Sequence, residues 1–205
     1  MIRLLRTRVV ARALVGLAVV ALVATSCDYK PSDETAISVN GHVTTMAAYS
    51  KLLSGMEAGK KCIESLGVSP KISFDGQSYN AGAVRFAANL VVQNAAIDNV
   101  LAANSLFVTA EQKSVAATSM STNCPNGEDK KLSPDVLQFL VDFIAGNAAV
   151  AKLPAGVLTN ELTSLQVDVS SRIGVWNPTA ATVETPPGPV KVRAKITLSS
   201  TTVAP

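Results

Sequence analysis

A long stretch without proline and almost without charge constrains the fold more than any other part of the sequence. It covers residues 82–106, and Arg85 and Asp98 are its only charged residues. Its apolar residues form two adjoining rows at helical spacing, which predicts an α-helix of about 25 residues and about 37 Å. A helix that is apolar on most sides must be surrounded by other elements or must offer an apolar surface to a partner. We therefore expect a mainly α-helical domain built around this segment.

Two interpretations of the long helix are open at this point. Core packing is the default for such an apolar segment. In the alternative, the helix lines a partly open groove in which Leu90, Ile97 and Leu101 contact unfolded polypeptide, because apolar contact is non-directional and suits many sequences. A membrane span is disfavoured, since the polar side chains within the same stretch would be costly in a bilayer.

The N-terminus predicts export. Four of the 18 basic residues lie in the first 26 positions, which hold no acidic residue, and residues 13–23 are uncharged and almost wholly apolar. This is the pattern of a signal peptide, and it is too short for a membrane span of about 20 residues. The rest of the chain has 14 basic and 15 acidic residues. Because that balance is nearly neutral and forms no aromatic-rich basic face, a nucleic-acid partner is disfavoured.

Small residues precede a cysteine directly after that segment. The sequence Ala24-Thr25-Ser26-Cys27 resembles a bacterial lipobox, in which the cysteine becomes the lipidated N-terminus. This predicts a lipoprotein signal peptide over 1–26, lipid on Cys27 and a polar tether over 27–35. The protein would then be extracytoplasmic and held at the bacterial cell membrane by its lipid. The alternatives are an ordinary secretory signal cleaved near Cys27 and an uncleaved N-terminal anchor.

The two other cysteines form an even pair in a chain that is predicted to be exported. Cys62 and Cys124 are predicted to form a disulfide, which would close a loop of about 60 residues and stabilise the fold by roughly 4 kcal/mol. Both lie among polar residues, so we expect both to be exposed. Two unpaired structural cysteines are the alternative. No Cys-x-x-Cys motif is present, which argues against a thiol oxidoreductase.

Local signals place further elements around the long helix. Asn40-Gly41 predicts a tight turn after a short extended segment that ends at Val39. Residues 166–170 alternate like a strand and are expected to pair with that segment and close the domain. Helix starts are indicated at Thr44 or Thr45, at Thr109 with Gln112 as a capping box, and at Ser133 before Pro134.

Three motifs, in this order, resemble the N-terminal domain of SurA-like chaperones. Ile37-Ser38-Val39-Asn40-Gly41 followed by Val43-Thr44 is similar to the family's opening "VNG … (I/V)T" strand and turn. The long helix followed by Phe107-Val108-Thr109 is similar to the family's second helix and its exit. Residues 167–178 are similar to the closing segment "V-x-V-(N/D)-P-R-(Y/F)-G-x-W-(D/N)-P", notably of actinobacterial lipoproteins. The similarity covers residues 36–183, and Ser171 stands where the family often has Pro.

The resemblance implies a helical chaperone-like domain over 36–183, closed by a small β pairing of an N-terminal and a C-terminal strand. It implies a protein that holds unfolded exported polypeptides without ATP. Many relatives also carry a parvulin-type prolyl isomerase domain before the closing strand, whereas here only a short loop is expected from Met120 to Leu132. The expectation is therefore a binding protein and not an enzyme. A peptidyl-prolyl isomerase-related protein and an envelope lipoprotein with one dedicated partner are the alternatives.

The remaining chemistry-bearing residues are few. Arg172, Gly174 and Trp176 form the most distinctive constellation, either as a ligand platform or as a structural motif in which Trp176 covers the end of the helical layer and Arg172 satisfies carbonyls or a carboxylate. His42 is the only histidine, and neither a metal-spacing cluster nor a phosphate-cradling loop is present. No cofactor is expected. Residues 184–205 are predicted to be a Pro-rich tail or an edge strand.

Overall fold

The computed structural model describes residues 34–66, 71–76 and 78–185. Across these residues the chain is mainly helical, with 60% of positions in seven helices and a few small antiparallel strands. The predicted fold class is therefore confirmed at this level. None of the helices in the described ranges is long and apolar enough to cross a membrane. The predicted signal peptide, the lipidation site Cys27 and most of the predicted C-terminal tail lie outside the described residues.

Three short strands form the sheet that closes the domain. Strands β1 (Thr35–Val39) and β2 (His42–Thr45) pair as an antiparallel hairpin. Its two turn residues, Asn40 and Gly41, have φ of 48° and 83°, as a type I′ turn requires. Strand β3 (Val167–Val169) pairs antiparallel with β1 on the other side, so the order is β2-β1-β3. The predicted pairing of the segments near Val39 and Val167 is therefore confirmed.

Three of the helices, those that follow Thr45, Thr109 and Ser133, begin where local signals predict a start. Thr45 accepts a hydrogen bond from the N–H of Ala48 at 3.2 Å, and Thr109 and Gln112 form both bonds of the capping box. Because these caps satisfy the first unpaired N–H groups, they fix the starting turn. The helices are α1 (Met46–Ala58), α2 (Lys60–Ser65), α3 (Ala81–Ala103), α4 (Ala110–Asn123), a 3₁₀ helix (Pro125–Lys131), α5 (Pro134–Val150) and α6 (Val157–Ser164).

A second hairpin follows the sheet, and the sequence did not predict it. Strand β4 (Val175–Asn177) pairs antiparallel with β5 (Thr182–Glu184). The hairpin is attached to the long helix, since the N–H of Val183 donates to the Asn89 side-chain oxygen at 2.6 Å. The hairpin, which ends at Glu184, is therefore joined to the helical part of the domain.

Helix α3 lies in the core, and this corrects one prediction about it. Leu90, Ile97 and Leu101 are only 5%, 1% and 6% exposed. They are covered because α3 packs against α5, α6 and the β5 strand. The three residues therefore belong to the core and do not form a client-binding surface in this fold.

The two cysteines lie as the predicted pair. Cys62 and Cys124 are at disulfide distance, with their Cα atoms 4.5 Å apart, which joins α2 to the end of α4. Both are buried, so the expectation of exposed sites was wrong. The polar residues around them in sequence point outward from short helices, while each cysteine faces the core.

Candidate polypeptide-binding surfaces

Arg172, Gly174 and Trp176 have structural contacts. Arg172 forms an ion pair with Glu34, Nη1 to Oε2 at 2.9 Å, which agrees with the predicted carboxylate partner. A Cβ on Gly174 would lie 2.6 Å from the carbonyl oxygen of Glu184, so only glycine fits beside β5. Trp176 is half-buried and packs against the core. These contacts support the structural interpretation of the motif, in which it ties the two C-terminal strands to the rest of the domain.

The most exposed aromatic side chain of the described residues lies at one side of an apolar cleft. We name the α4–α5 cleft for the two helices that form its walls, with the connection between α3 and α4 as its rim. Its volume is about 650 Å³. Phe107 is 78% exposed, and Leu106 and Val115 are the other large apolar side chains exposed there. The further lining residues are Ser105, Thr109, Glu111, Gln112, Ala116, Ser119, Ile144, Ala145, Ala148 and Lys152.

Two local structures keep the Phe107 side chain exposed to solvent. Helix α3 ends where Ser105 takes a positive φ of 53°, and the N–H of Leu106 donates back to the Leu101 carbonyl at 2.8 Å. Two residues after Phe107, the capping box at Thr109 begins α4. Phe107 therefore occupies a short extended link between two fixed helix ends. Sequence reasoning used Phe107 only as part of a family motif. The available signal was a large aromatic residue between a helix end and a capping box.

A second cleft lies beside the first hairpin, and we name it the hairpin cleft. Strand β2 and helices α1, α3 and α5 enclose about 500 Å³. The apolar side chains that line it are mainly those of Val39, Val43, Leu52, Val91, Ala95, Val136 and Phe139. The polar ones are His42, Thr44, Lys51, Asn94, Asp98 and Asp135. The cleft thus combines an apolar lining with a few charged groups, as ligand sites commonly do.

Of the charged side chains that the structure describes at the hairpin cleft, some form ion pairs and one does not. Lys51 forms an ion pair with Asp135, while Asp142, farther along α5, is paired with Lys113 at 2.7 Å. Asp98 has no ion pair within the part of the chain that the structure describes. Desolvation raises the pKa of Asp98 above its usual range, the charge of Asp142 raises it further, and Lys113 opposes both. The cleft therefore has one carboxylate whose charge is not compensated by a direct partner.

The only histidine lies at this cleft as well. His42 is exposed and begins β2. In the described ranges, no three Cys, His, Asp or Glu side chains are grouped so that they could hold a metal ion. The chemistry that both clefts offer is therefore contact with apolar groups, supplemented by a few charged side chains, among them Glu111 and Lys152 in the α4–α5 cleft and Asp98 in the hairpin cleft.

No protein family, curated protein or solved structure matches the chain at a significant level. By fold and by site, the described residues form a mainly α-helical domain with two open and largely apolar clefts.

Proposed function

We propose that this protein is an extracytoplasmic, membrane-tethered lipoprotein that holds unfolded exported polypeptides without ATP, in the manner of a chaperone. The observation that carries the proposal is the position of Phe107, 78% exposed at the rim of the α4–α5 cleft. The predicted export signal and the resemblance of residues 36–183 to SurA-like N-terminal domains support it. The client is an apolar segment of an exported chain, and the tether is the lipid on Cys27.

Apolar contact at the α4–α5 cleft suits clients of many sequences. When an apolar partner removes a large exposed apolar group from water, the free energy of the complex falls, whatever the partner's sequence. Full burial of a phenylalanine side chain contributes about 1.5–3 kcal/mol. Because 1.4 kcal/mol corresponds to a factor of ten in affinity, Phe107 alone would change client affinity by about 10- to 100-fold. Contacts of this size favour reversible holding.

Loss of this side chain is expected to reduce holding activity. In an aggregation-suppression assay on a chemically unfolded client, Phe107→Ser should protect much less than the unmodified protein at equal concentration. Val175→Ser is the matched control, since Val175 is an exposed apolar residue on β4 and outside the cleft. Equal protection by both variants would contradict the proposed site.

A proline-isomerisation assay on the same preparations distinguishes the main alternative. Catalysed isomerisation would support the peptidyl-prolyl isomerase-related protein and overturn the binding role. Inactivity in both assays would favour an envelope lipoprotein with one dedicated partner.

The tether has its own test. Cys27→Ala removes the thiol to which the lipid would be attached, so the variant should leave the membrane fraction when cells are lysed and centrifuged. Membrane pelleting that is unchanged in Cys27→Ala would contradict lipid anchoring. Ser26→Ala keeps the cysteine, and it is the control that should remain with the membranes.

A further inference from the structure

Within the described residues, the outer edge of β2 is open. Strand β2 stands at one end of the sheet order β2-β1-β3, and no other strand of the described ranges pairs with its outer side. In a two-residue hairpin the turn bond makes Val39 and His42 a hydrogen-bonded pair. The next pair, Ser38 and Val43, is then a non-bonded pair, in which the N–H and C=O of Val43 point away from β1. An added strand could therefore bond to the backbone of Val43.

The hairpin cleft adjoins this open edge. Val43 is 57% exposed and belongs both to β2 and to the cleft lining, which also includes Val91 and Phe139. Successive side chains of an added strand would alternate between the cleft and the opposite face of the sheet. Main-chain bonds to an edge strand provide affinity, and a pocket for every second side chain provides specificity. The fold places both features together here.

The charge of the cleft selects among extended segments. Lys51 and Asp135 neutralise each other, and His42 is the remaining basic side chain in the lining. Asp98 stands without an ion pair among the described residues, beside the apolar Ala95 one turn earlier on α3. A ligand that places a cation near Asp98 gains a charge interaction, whereas one that places an anion there meets repulsion.

We infer that the hairpin cleft is a second polypeptide site, which takes an extended segment that adds to β2 with apolar side chains in the cleft and a lysine or arginine against Asp98. It is separate from the α4–α5 cleft in residues and in selectivity. The occupant is an extended segment of another protein. Its residues i, i+2 and i+4 share one face, and they are apolar, apolar and cationic in that order.

Synthetic heptapeptides test this pattern directly. The probe Ser-Val-Ser-Val-Ser-Lys-Ser carries both valines and the lysine on one face, and its shifted isomer Ser-Val-Ser-Val-Lys-Ser-Ser moves the lysine to the other face. Binding to the full-length protein is measured by fluorescence anisotropy at low salt. The first probe should bind more tightly than the isomer and more tightly than the same peptide with Glu for Lys. N-methylation of the central residues should abolish binding, because it removes the donors that pair with β2.

One substitution tests the role of Asp98. Asp98→Asn should weaken binding of the lysine probe by about two- to fivefold, the range for exposed ion pairs, and should leave a Gln-for-Lys probe unchanged. Asp168→Asn, at an exposed aspartate on β3, is the matched control. Asp98 is itself exposed, so the variant should fold, which circular dichroism checks.

Three results would overturn the inference. The first is equal binding of the in-register and shifted probes. The second is equal affinity of Asp98→Asn and the unmodified protein for the lysine probe. The third is concentration-dependent self-association that Asp98→Asn abolishes, because a second copy of the chain would then be the occupant. Phe107→Ser should not affect probe binding. A failure of the proposed holding function at the α4–α5 cleft is thus distinguishable from a failure at the hairpin cleft.

Discussion

Glu128 is the buried charged side chain of the described residues. It lies in the 3₁₀ helix with only 9% of its surface exposed, and Lys131 donates to its Oε1 at 2.8 Å. This hydrogen bond lowers the pKa of Glu128 below its usual range despite the opposing effect of desolvation, and the charges of Lys131 and Lys61 lower it further. The folded state therefore holds the proton of Glu128 less tightly than the unfolded state does.

That difference predicts a pH dependence of stability. Because the folded pKa is the lower one, the contribution of Glu128 is complete above the unfolded value of about 4.3 and is lost as the pH falls through the folded pKa. Glu128→Gln should therefore lose less stability than the unmodified protein between pH 7 and pH 3 in urea unfolding. Glu111→Gln, at an exposed position, is the control. Parallel pH profiles for Glu128→Gln and the unmodified protein would contradict the role of the Lys131 bond.

At the scale of elements, the crossing of α3 and α5 depends on a glycine. Glycine weakens a helix interior, yet α5 continues past Gly146 to Val150. A Cβ at Gly146 would lie 2.6 Å from Cγ2 of Ile97. Glycine inside a helix costs about 1 kcal/mol relative to alanine. The close approach of the two helices offsets this cost, since Ile97 packs against the backbone of α5.

Gly146→Ala is expected to destabilise the domain. The gain in helix propensity is about 1 kcal/mol, but overpacking a filled site costs about 1–3 kcal/mol. Overpacking should dominate because Ile97 is branched at Cβ and has few alternative rotamers. The expected result is a lower midpoint in thermal unfolding.

Leucine at position 97 provides the matched test, because leucine has no Cγ2 methyl. The loss of stability in the double variant Gly146→Ala/Ile97→Leu should be smaller than the sum of the stability losses in the two single variants. Additive losses would show that the two positions do not meet as described.

The elements that the sequence predicts correctly are those fixed by local chemistry. Thr45, Thr109 and Ser133 cap helices because their side chains bond to N–H groups a few residues away. The hairpin of β4 and β5 escaped prediction because neither strand lies in an alternating run as long as residues 166–170, which predicted β3. Its anchor joins Val183 to Asn89, which lies 94 positions earlier, and no local pattern contains such a contact.

The candidate sites were only partly predictable for a related reason. The sequence shows that α3 is apolar on most sides, but packing of α5 and α6 decides which residues are covered. Leu90, Ile97 and Leu101 are therefore core. Phe107 is exposed because it occupies a short extended link between the end of α3 and the capping box of α4.

At the scale of the whole molecule, α5 is common to both clefts. Val136 and Phe139, near its start, line the hairpin cleft, whereas Ile144 and Ala148 line the α4–α5 cleft. The position of α4 against α5 therefore shapes one of the two clefts directly. The cysteine pair at disulfide distance lies where the far end of α4 meets α2, since Cys124 is the C-cap residue of α4.

Removal of the bridge is therefore expected to lower global stability. Cys62 and Cys124 are 62 positions apart, and a loop of that length corresponds to about 4 kcal/mol in the chain-entropy model. Cys62→Ala/Cys124→Ala should lose about that amount in urea unfolding. Reduction of the unmodified protein should lose a similar amount, which separates loss of the link from loss of the buried sulfur atoms. Cys27→Ala should leave the unfolding free energy unchanged. Two reactive thiols at Cys62 and Cys124 in the unreduced Cys27→Ala protein, or no loss of stability on reduction, would contradict the bridge.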